Sequence, residues 1–354
     1  MDIIYAVCSW GLGHATRSLP IIRKLINENN NLTIISSGRS LELLKKEISD
    51  DATYFDIQDY PMLLSENSRQ FLAKSAIYWP IFIKRIESGL IRLSKIIEKK
   101  RYDLIISDAR YDMYSKKIPS VFISHQIRIM NPLRIKMFET GSELFNKFFF
   151  KRFSKIIVPD FKNNNLSGDL SHNLKKIDEE KIYYIGILSD FKKIHIKKDI
   201  DYLFSVSGPE PQRTIFENKI YEQISDIKGK IVITQGKTES KINFKNKNVQ
   251  TYSFLNKEER EILLNRAKLV ISRSGYSTLM DLAVIGLKAL FIPTPGQIEQ
   301  EYLGEYHNEL RTFYSVAQTK LNLISDLKIA QKNTGIKRKC DPEKTVEKFL
   351  EIIY

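Results

Sequence analysis

Short apolar runs separated by stretches of helical period fill most of the chain. DIIYAVC (2–8), NLTIISSG (31–38), ATYFDIQDYPML (52–63), YDLIISDAR (102–110), SVFISHQIRIMNPLR (120–134) and KIIVPD (155–160) read as strands with their exit loops. Between them, SWGLGHATRSLPIIRKLI sets Leu19, Ile22 and Ile26 on one helical face. Residues 77–101 gather Phe82, Ile86, Leu90, Leu93 and Ile97 on one side, with Lys84, Arg85, Arg92, Lys95 and Lys99 opposite. In residues 135–153 the spacing of Phe145, Phe148 and Phe149 reads as core, an exposed lipid-facing edge being the alternative. Polarity rises over FKNNNLSGDLSHNLKKIDEEK (161–181), which marks a linker, and a second series of strands and helices follows. Strands alternating with helices predict parallel sheets, and 354 residues suit two such domains.

The densest cluster of polar and glycine positions lies in residues 272–300, SRSGYSTLMDLAVIGLKALFIPTPGQIEQ. A strand ending in LVIS runs into Arg273, Ser274 and Gly275, and a helix begins at once with Tyr276, Leu279, Leu282 and Ala283 on one face. A helix N-terminus aims unpaired N–H groups and a partial positive charge outward, so the small residues Ser274, Gly275, Ser277 and Thr278 suit a phosphate there. Asp281, one turn in, is placed to accept from a ribose diol, and the later pair Glu299 and Gln300 has the chemistry that reads sugar hydroxyls. An ordinary βαβ unit with a glycine turn is the plain alternative.

A second glycine loop opens the chain, with Gly11, Gly13, His14 and then Arg17 after the first strand. It is not the dinucleotide fingerprint, because Thr16 stands where the third glycine belongs. His14 sits beyond the carboxyl end of a strand, where ligands bind in α/β sheets, and an imidazole of ordinary pKa near ~6.5 can take a proton from a hydroxyl. Its alternative use is a loop hydrogen bond. Asp108 ends a strand on the same rim and is a candidate partner for His14, or else a helix N-cap for the next segment. His125 and Gln126 lie on a further exit loop of that rim. In the second half, Ser207, Gly208 and Gln212 mark a turn, and Arg213 is placed to neutralise a pyrophosphate.

The run from Gly275 through Asp281, Gly286 and Pro293 to Glu299 and Gln300 resembles the nucleotide-sugar signature of the GT-B glycosyltransferases. The likeness is to family 28, that of the peptidoglycan lipid-intermediate N-acetylglucosaminyltransferases, and more loosely to family 1. It implies two Rossmann-like doubly wound α/β domains facing a cleft, divided as 1–160, a linker 161–185, 186–335, and a terminal helix 336–354 returning to the first domain. It also implies an acceptor side at Gly11, Gly13, Arg17, His125 and Gln126, and an acid that holds the tautomer of His14. Donor phosphates would lie at the Ser207–Gly208 loop and the nucleotide base at Phe254 and Leu255. The reaction implied is inverting, metal-independent transfer from a UDP-sugar to a hydroxyl of a lipid-linked or envelope glycan, with no cofactor. A UDP-sugar 2-epimerase, or a non-catalytic membrane-docking or carbohydrate-binding protein, is the alternative on this scaffold.

Charge and cysteine content narrow the partners. A net charge of +14 calls for an anionic partner. No nucleic-acid motif accompanies it, so nucleic acid is not expected, whereas a phosphorylated substrate or an anionic membrane surface is. A Lys- and Asn-rich composition is the bland account of part of it. Cys8 and Cys340 have no disulfide or zinc spacing, and the first residues lack a basic leader region, which together point to a cytoplasmic protein, peripheral on the inner membrane face at most. Asp199 and Asp201 resemble the DxD metal site of a different glycosyltransferase fold and are read instead as a solvated strand entry.

Overall fold

The structure, a computed structural model, describes residues 1–61, 68–131, 133–236 and 248–354, with backbone alone over 68–77. The strand reading that extends through residue 63 runs partly outside the described residues. The chain divides into two compact units, residues 1–190 with 341–354, and residues 191–340.

In the first unit, β1 (Asp2–Val7), β2 (Asn31–Ser36), β3 (Ala52–Asp56), β4 (Leu104–Asp108), β5 (Ser120–Ile123), β6 (Lys155–Val158) and β7 (Ile182–Tyr184) form a sheet in the order β3-β2-β1-β4-β5-β6-β7. All the pairings are parallel. Near-continuous Ile and Val runs such as Ile3, Ile4 and Ile105, Ile106 are buried because helices cover both faces of a parallel sheet. Those helices are α1 (Gly13–Asn27), α2 (Gly38–Ile48), α3 (Ser68–Lys99) and α4 (Lys136–Phe150). On α3, Phe82, Ile86 and Leu93 are buried as the helical period requires, and Gly89 lets Asp112 come close: a Cβ there would lie 2.0 Å from the carboxylate.

The second unit repeats the plan with β8 (Ile200–Ser205), β9 (Ile231–Thr234), β10 (Val249–Tyr252), β11 (Ala267–Ser272), β12 (Lys288–Phe291) and β13 (Tyr314–Ser315), in the order β10-β9-β8-β11-β12-β13. Its helices are α5 (Gln212–Gln223), α6 (Lys257–Arg266), α7 (Tyr276–Ile285), α8 (Ile298–Glu309) and α9 (Leu323–Ala330). Two local signals set boundaries here. Asn256 and Glu259 close a capping box on α6, and Gly286, at φ 76°, ends α7 in the left-handed region that a side chain would strain.

Two expectations are corrected. Residues 161–185 are not a linker: β7 pairs with β6, and the buried Asp160 carboxylate accepts from the backbone of Phe161, Leu166 and Ser167, so a polar stretch folds onto the first sheet. The division falls at Asp190, and α10 (Pro342–Ile353) belongs to the first unit, where Lys348 donates to the Tyr184 carbonyl at 2.6 Å. The three phenylalanines of α4 do not share one fate either. Phe149 is buried and Phe145 half-buried, but Phe148 is 58% exposed.

Candidate active site

In each unit the strand order reverses between the first strand and the fourth, and the exit loops of those two strands diverge there. Ligands of doubly wound sheets bind at that point. In the first unit β1 and β4 are neighbours, with Val7 opposite Asp108, so the glycine loop and the end of β4 are brought together.

His14 stands in the first turn of α1, and its Nδ1 lies 2.8 Å from Asp108 Oδ1. A carboxylate only accepts, so Nδ1 carries the hydrogen and the neutral ring holds its lone pair on Nε2. Arg17, one turn along, donates through Nε to Asp108 Oδ2 at 2.8 Å and through Nη2 to Oδ1, and Ser18 Oγ adds a bond of 3.0 Å. The carboxylate is 1% exposed and faces α1, so it is no N-cap; the residue after it, Ala109, has a φ of 57°. Arg17 Nη1 lies 2.8 Å from His125 Nδ1, which must therefore accept and leave that ring's hydrogen on Nε2. Arg17, expected as an acceptor-side residue, thus ties Asp108 to His125.

The remaining acceptor-side residues frame this cluster. Gly11, at φ 75°, shapes the loop and accepts from Ser40 at its carbonyl, and Gly13 opens α1. The Gln126 backbone exchanges hydrogen bonds with Ser124 Oγ at 3.0 and 3.2 Å. Ser18 had no signal beyond its place on the helix, and neither did Asp59, which accepts from Ser9 N and Oγ at 2.6 Å and anchors the loop from below.

Burial alone would raise the Asp108 carboxyl, but the Arg17 guanidinium and the His14 ring outweigh it and hold the group well below the usual carboxylate range. A carboxyl depressed in the folded state stabilises the protein above its unfolded pKa of about 3.9, and that contribution is lost as pH falls through the folded value. Stability should therefore fall steeply below pH ~4. Thermal unfolding between pH 2 and 7 reads this, and Asp108→Asn should flatten the acid limb while lowering the neutral plateau. An acid limb identical in the variant would assign the loss to other carboxylates.

In the second unit β8 and β11 occupy the corresponding position, with Ser205 opposite Ser272. Arg273, at the exit of β11, is 2% exposed and has no acidic partner among the described residues. Its guanidinium donates to the carbonyls of Ser207 (3.3 Å), Gln212 (2.8 Å), Ile292 (3.0 Å) and Pro293 (3.2 Å), and lies 4.4 Å from the Phe216 ring centroid. Burial lowers its pKa to about 10. One cation thus clamps the exit loops of β8 and β12. Gly275 is the N-cap of α7 and supplies no side-chain cap, so the partial positive charge of the helix end faces outward, and a Cβ at this residue would meet nothing within 4 Å. Ser277 and Thr278 follow, half-buried, in the first turn.

Several donor-side residues hold other partners than expected. Arg213 is neutralised by Glu210, at 2.9 Å from Nε and 2.5 Å from Nη2, so the cation expected for a pyrophosphate is already matched. Ser274 is fully buried and spends its hydroxyl on the Gln300 carbonyl at 2.7 Å. The Gln300 amide, expected at the sugar, accepts from Thr294 N at 2.9 Å and donates to Gln297, which stiffens the loop, while Glu299 stays half-buried beside it. Gln212 Oε1 accepts from Gln318 at 2.9 Å. Gly208, at φ 116°, lies over Arg273 and Thr294; Ser207 and Phe254 are exposed and Leu255 is buried. Thr278 and Asp281 line a cavity of about 40 Å³ with Ser205, Thr234 and Arg260. Ser205 and Thr234 are strand ends, and Arg260 carries no signal in the sequence. Asp199 and Asp201 precede or open β8 at its other end, paired with Lys230, Arg266 and Lys268 at 2.7–2.8 Å.

Comparison with known proteins agrees with this division. Residues 211–330 match the Glycosyltransferase family 28 C-terminal domain, and residues 1–145 match Glycosyl transferase family 1. A relative in Methanosarcina mazei, an uncharacterized glycosyltransferase, is 26% identical over 85% of this chain and 82% of its own. The UDP-N-acetylglucosamine--N-acetylmuramyl-(pentapeptide) pyrophosphoryl-undecaprenol N-acetylglucosamine transferase of Rickettsia canadensis is 25% identical over 77% and 81%. In fold, the chain is similar to the calicheamicin glycosyltransferase (12% identity, TM-score 0.65, 99% and 94% covered). It is also similar to UDP-GlcNAc 2-epimerase of Methanocaldococcus jannaschii (15%, 0.60, 100% and 99%). These likenesses make the chain a glycosyltransferase of the GT-B fold, whose residues 211–330 are similar to the family 28 C-terminal domain.

Proposed function

We infer that the chain transfers a hexose or N-acetylhexosamine from a UDP-sugar to a hydroxyl of a lipid-linked or envelope glycan, with inversion and without a metal. The observation that carries this reading is the His14–Asp108 pair, 2.8 Å apart at the ligand-binding rim of the first sheet. With Nδ1 held by the carboxylate, Nε2 takes the acceptor proton while the acceptor oxygen bonds the anomeric carbon. The bond from that carbon to the diphosphate breaks on the opposite face, so a single displacement inverts the centre, and UDP leaves with its electron pair. The partial positive charge at the N-terminus of α7 and the charge of Arg273, which has no acidic partner among the described residues, favour the departing diphosphate. Asp281, beside the small cavity, is the candidate ribose acceptor, with Glu299 at the sugar. The UDP donor is supported by the name of the Rickettsia relative.

Calorimetry of the purified chain with UDP, GDP and dTDP, without added metal, tests the donor. UDP should bind in preference to the other two, and Asp281→Ala should weaken it about tenfold, the scale of one lost hydrogen bond to a charged group. If none of the three binds, the transfer reading fails. The epimerase alternative shares the fold, and it would invert C2 of the UDP-sugar without an acceptor and without net release of UDP, whereas transfer releases UDP.

A further inference from the structure

We propose that the second unit carries a further binding site, for a small organic phosphate, in a cavity at the end of its sheet opposite the candidate active site. The cavity, of about 300 Å³, lies between residues 193–198 and the carboxyl ends of α6 and α7. Lys198 stands two residues before β8, whereas the loop of the candidate active site leaves the far end of that strand at Ser205. Six residues at a rise of about 3.3 Å put the two ends roughly 17 Å apart, so one phosphate cannot serve both. The stretch that bears the cations is held in place. Asn265, 3% exposed, accepts from Ile194 N at 2.8 Å and donates to the Lys192 carbonyl at 2.9 Å.

Charge selects an anion. Lys193, His195 and Lys198 line the cavity, and no Asp or Glu does. The acids near it in sequence are engaged elsewhere: Asp190 with Arg23, Asp199 with Lys230 and Arg266, and Glu261 with Lys257. Burial and the charge of Lys193 lower the Lys198 pKa, as expected of two ammonium groups set together with no acid between them. The carboxyl end of α7 offsets one of these charges, since a Cβ on its C-cap Gly286 would lie 3.6 Å from Lys193 Nζ. That leaves Lys198 and the His195 ring to meet a bound anion. Shape then calls for more than phosphate alone. A cavity of this volume is at the small end of sites for organic molecules and exceeds what a bare phosphate fills. Ile194, Ile196 and Ile285 supply its apolar wall, and the first two are 40% and 43% exposed, surface that an apolar group on the phosphate would cover.

Calorimetry of the full chain with phenyl phosphate, inorganic phosphate and phenol, each with and without saturating UDP, tests this independently of sugar transfer. Phenyl phosphate should bind more tightly than inorganic phosphate, and phenol should not bind. The affinity should be the same with UDP present and should weaken as salt rises. Lys198→Ala should weaken phenyl phosphate about tenfold, the scale of one lost hydrogen bond to a charged group, with the unfolding temperature and UDP binding retained. Ile196→Ser should weaken phenyl phosphate about threefold and leave inorganic phosphate unchanged. No binding at millimolar phenyl phosphate, or binding that Lys198→Ala and Lys193→Ala leave unchanged, overturns the proposal. Displacement of phenyl phosphate by UDP also overturns it, by placing the probe in the donor site, and equal affinity for the two phosphates would reduce the cavity to an inorganic-ion site.

Discussion

Replacing His14 by alanine should lower kcat by about 10²–10⁴-fold, the range for a lost general base, while leaving the donor KM within a few-fold. The reason is local. In the neutral ring the Asp108 carboxylate leaves the lone pair on Nε2, and no other described side chain of the first unit pairs a ring nitrogen with a buried carboxylate at the end of β4. Asp108→Asn should cost comparable activity by a different route. An amide can donate to Nδ1 and so favour the wrong tautomer, while Arg17 loses the counter-charge for its buried guanidinium. The two substitutions should therefore be far from additive, and their double mutant should be little slower than either alone. Steady-state kinetics with saturating UDP-sugar separates these cases. A His14→Ala enzyme within threefold of the wild type would remove the base from this position.

The parts of this arrangement that could be read from the chain were those fixed by the backbone. Asp108 could be placed because the apolar run Leu104, Ile105 and Ile106 stops just before it, and strand ends in a parallel sheet share one rim. The α7 N-terminus was equally plain from Ser274 and Gly275. What could not be read were the partners of long side chains, which depend on tertiary neighbours. Arg213 looked open in sequence because Glu210 lies across a proline turn, and only the fold of that turn closes the pair. Arg17 looked like a ligand contact and is spent on Asp108 and His125, 91 and 108 residues away. The polar stretch 161–181 misled because its buried polar groups are satisfied internally, through Asp160 and Glu143, rather than by apolar periodicity.

Arg273 gives the second large effect. Arg273→Met keeps much of the side-chain volume and its contact with Phe216, but it strips four loop carbonyls of their donor and removes the buried charge. Each carbonyl left unpaired costs about 1–3 kcal/mol where water cannot reach it, and partial rescue by water should bring the total to about 2–4 kcal/mol. UDP affinity should fall about 10–100-fold, because the Ser207–Gly208 loop loses its fixed conformation together with the nearby positive charge. Arg273→Lys separates the two causes. An ammonium keeps the charge yet cannot span carbonyls on both sides as the planar fork does, so it should recover affinity only in part and stability hardly at all. Arg213→Ala is the contrasting control: its pair with the half-exposed Glu210 is worth at most about 1 kcal/mol, and its charge is already matched. Urea unfolding and calorimetry with UDP on these three variants decide the assignment. If Arg213→Ala weakened UDP more than Arg273→Met, the diphosphate cation would be Arg213 after all, freed from Glu210 when the donor binds.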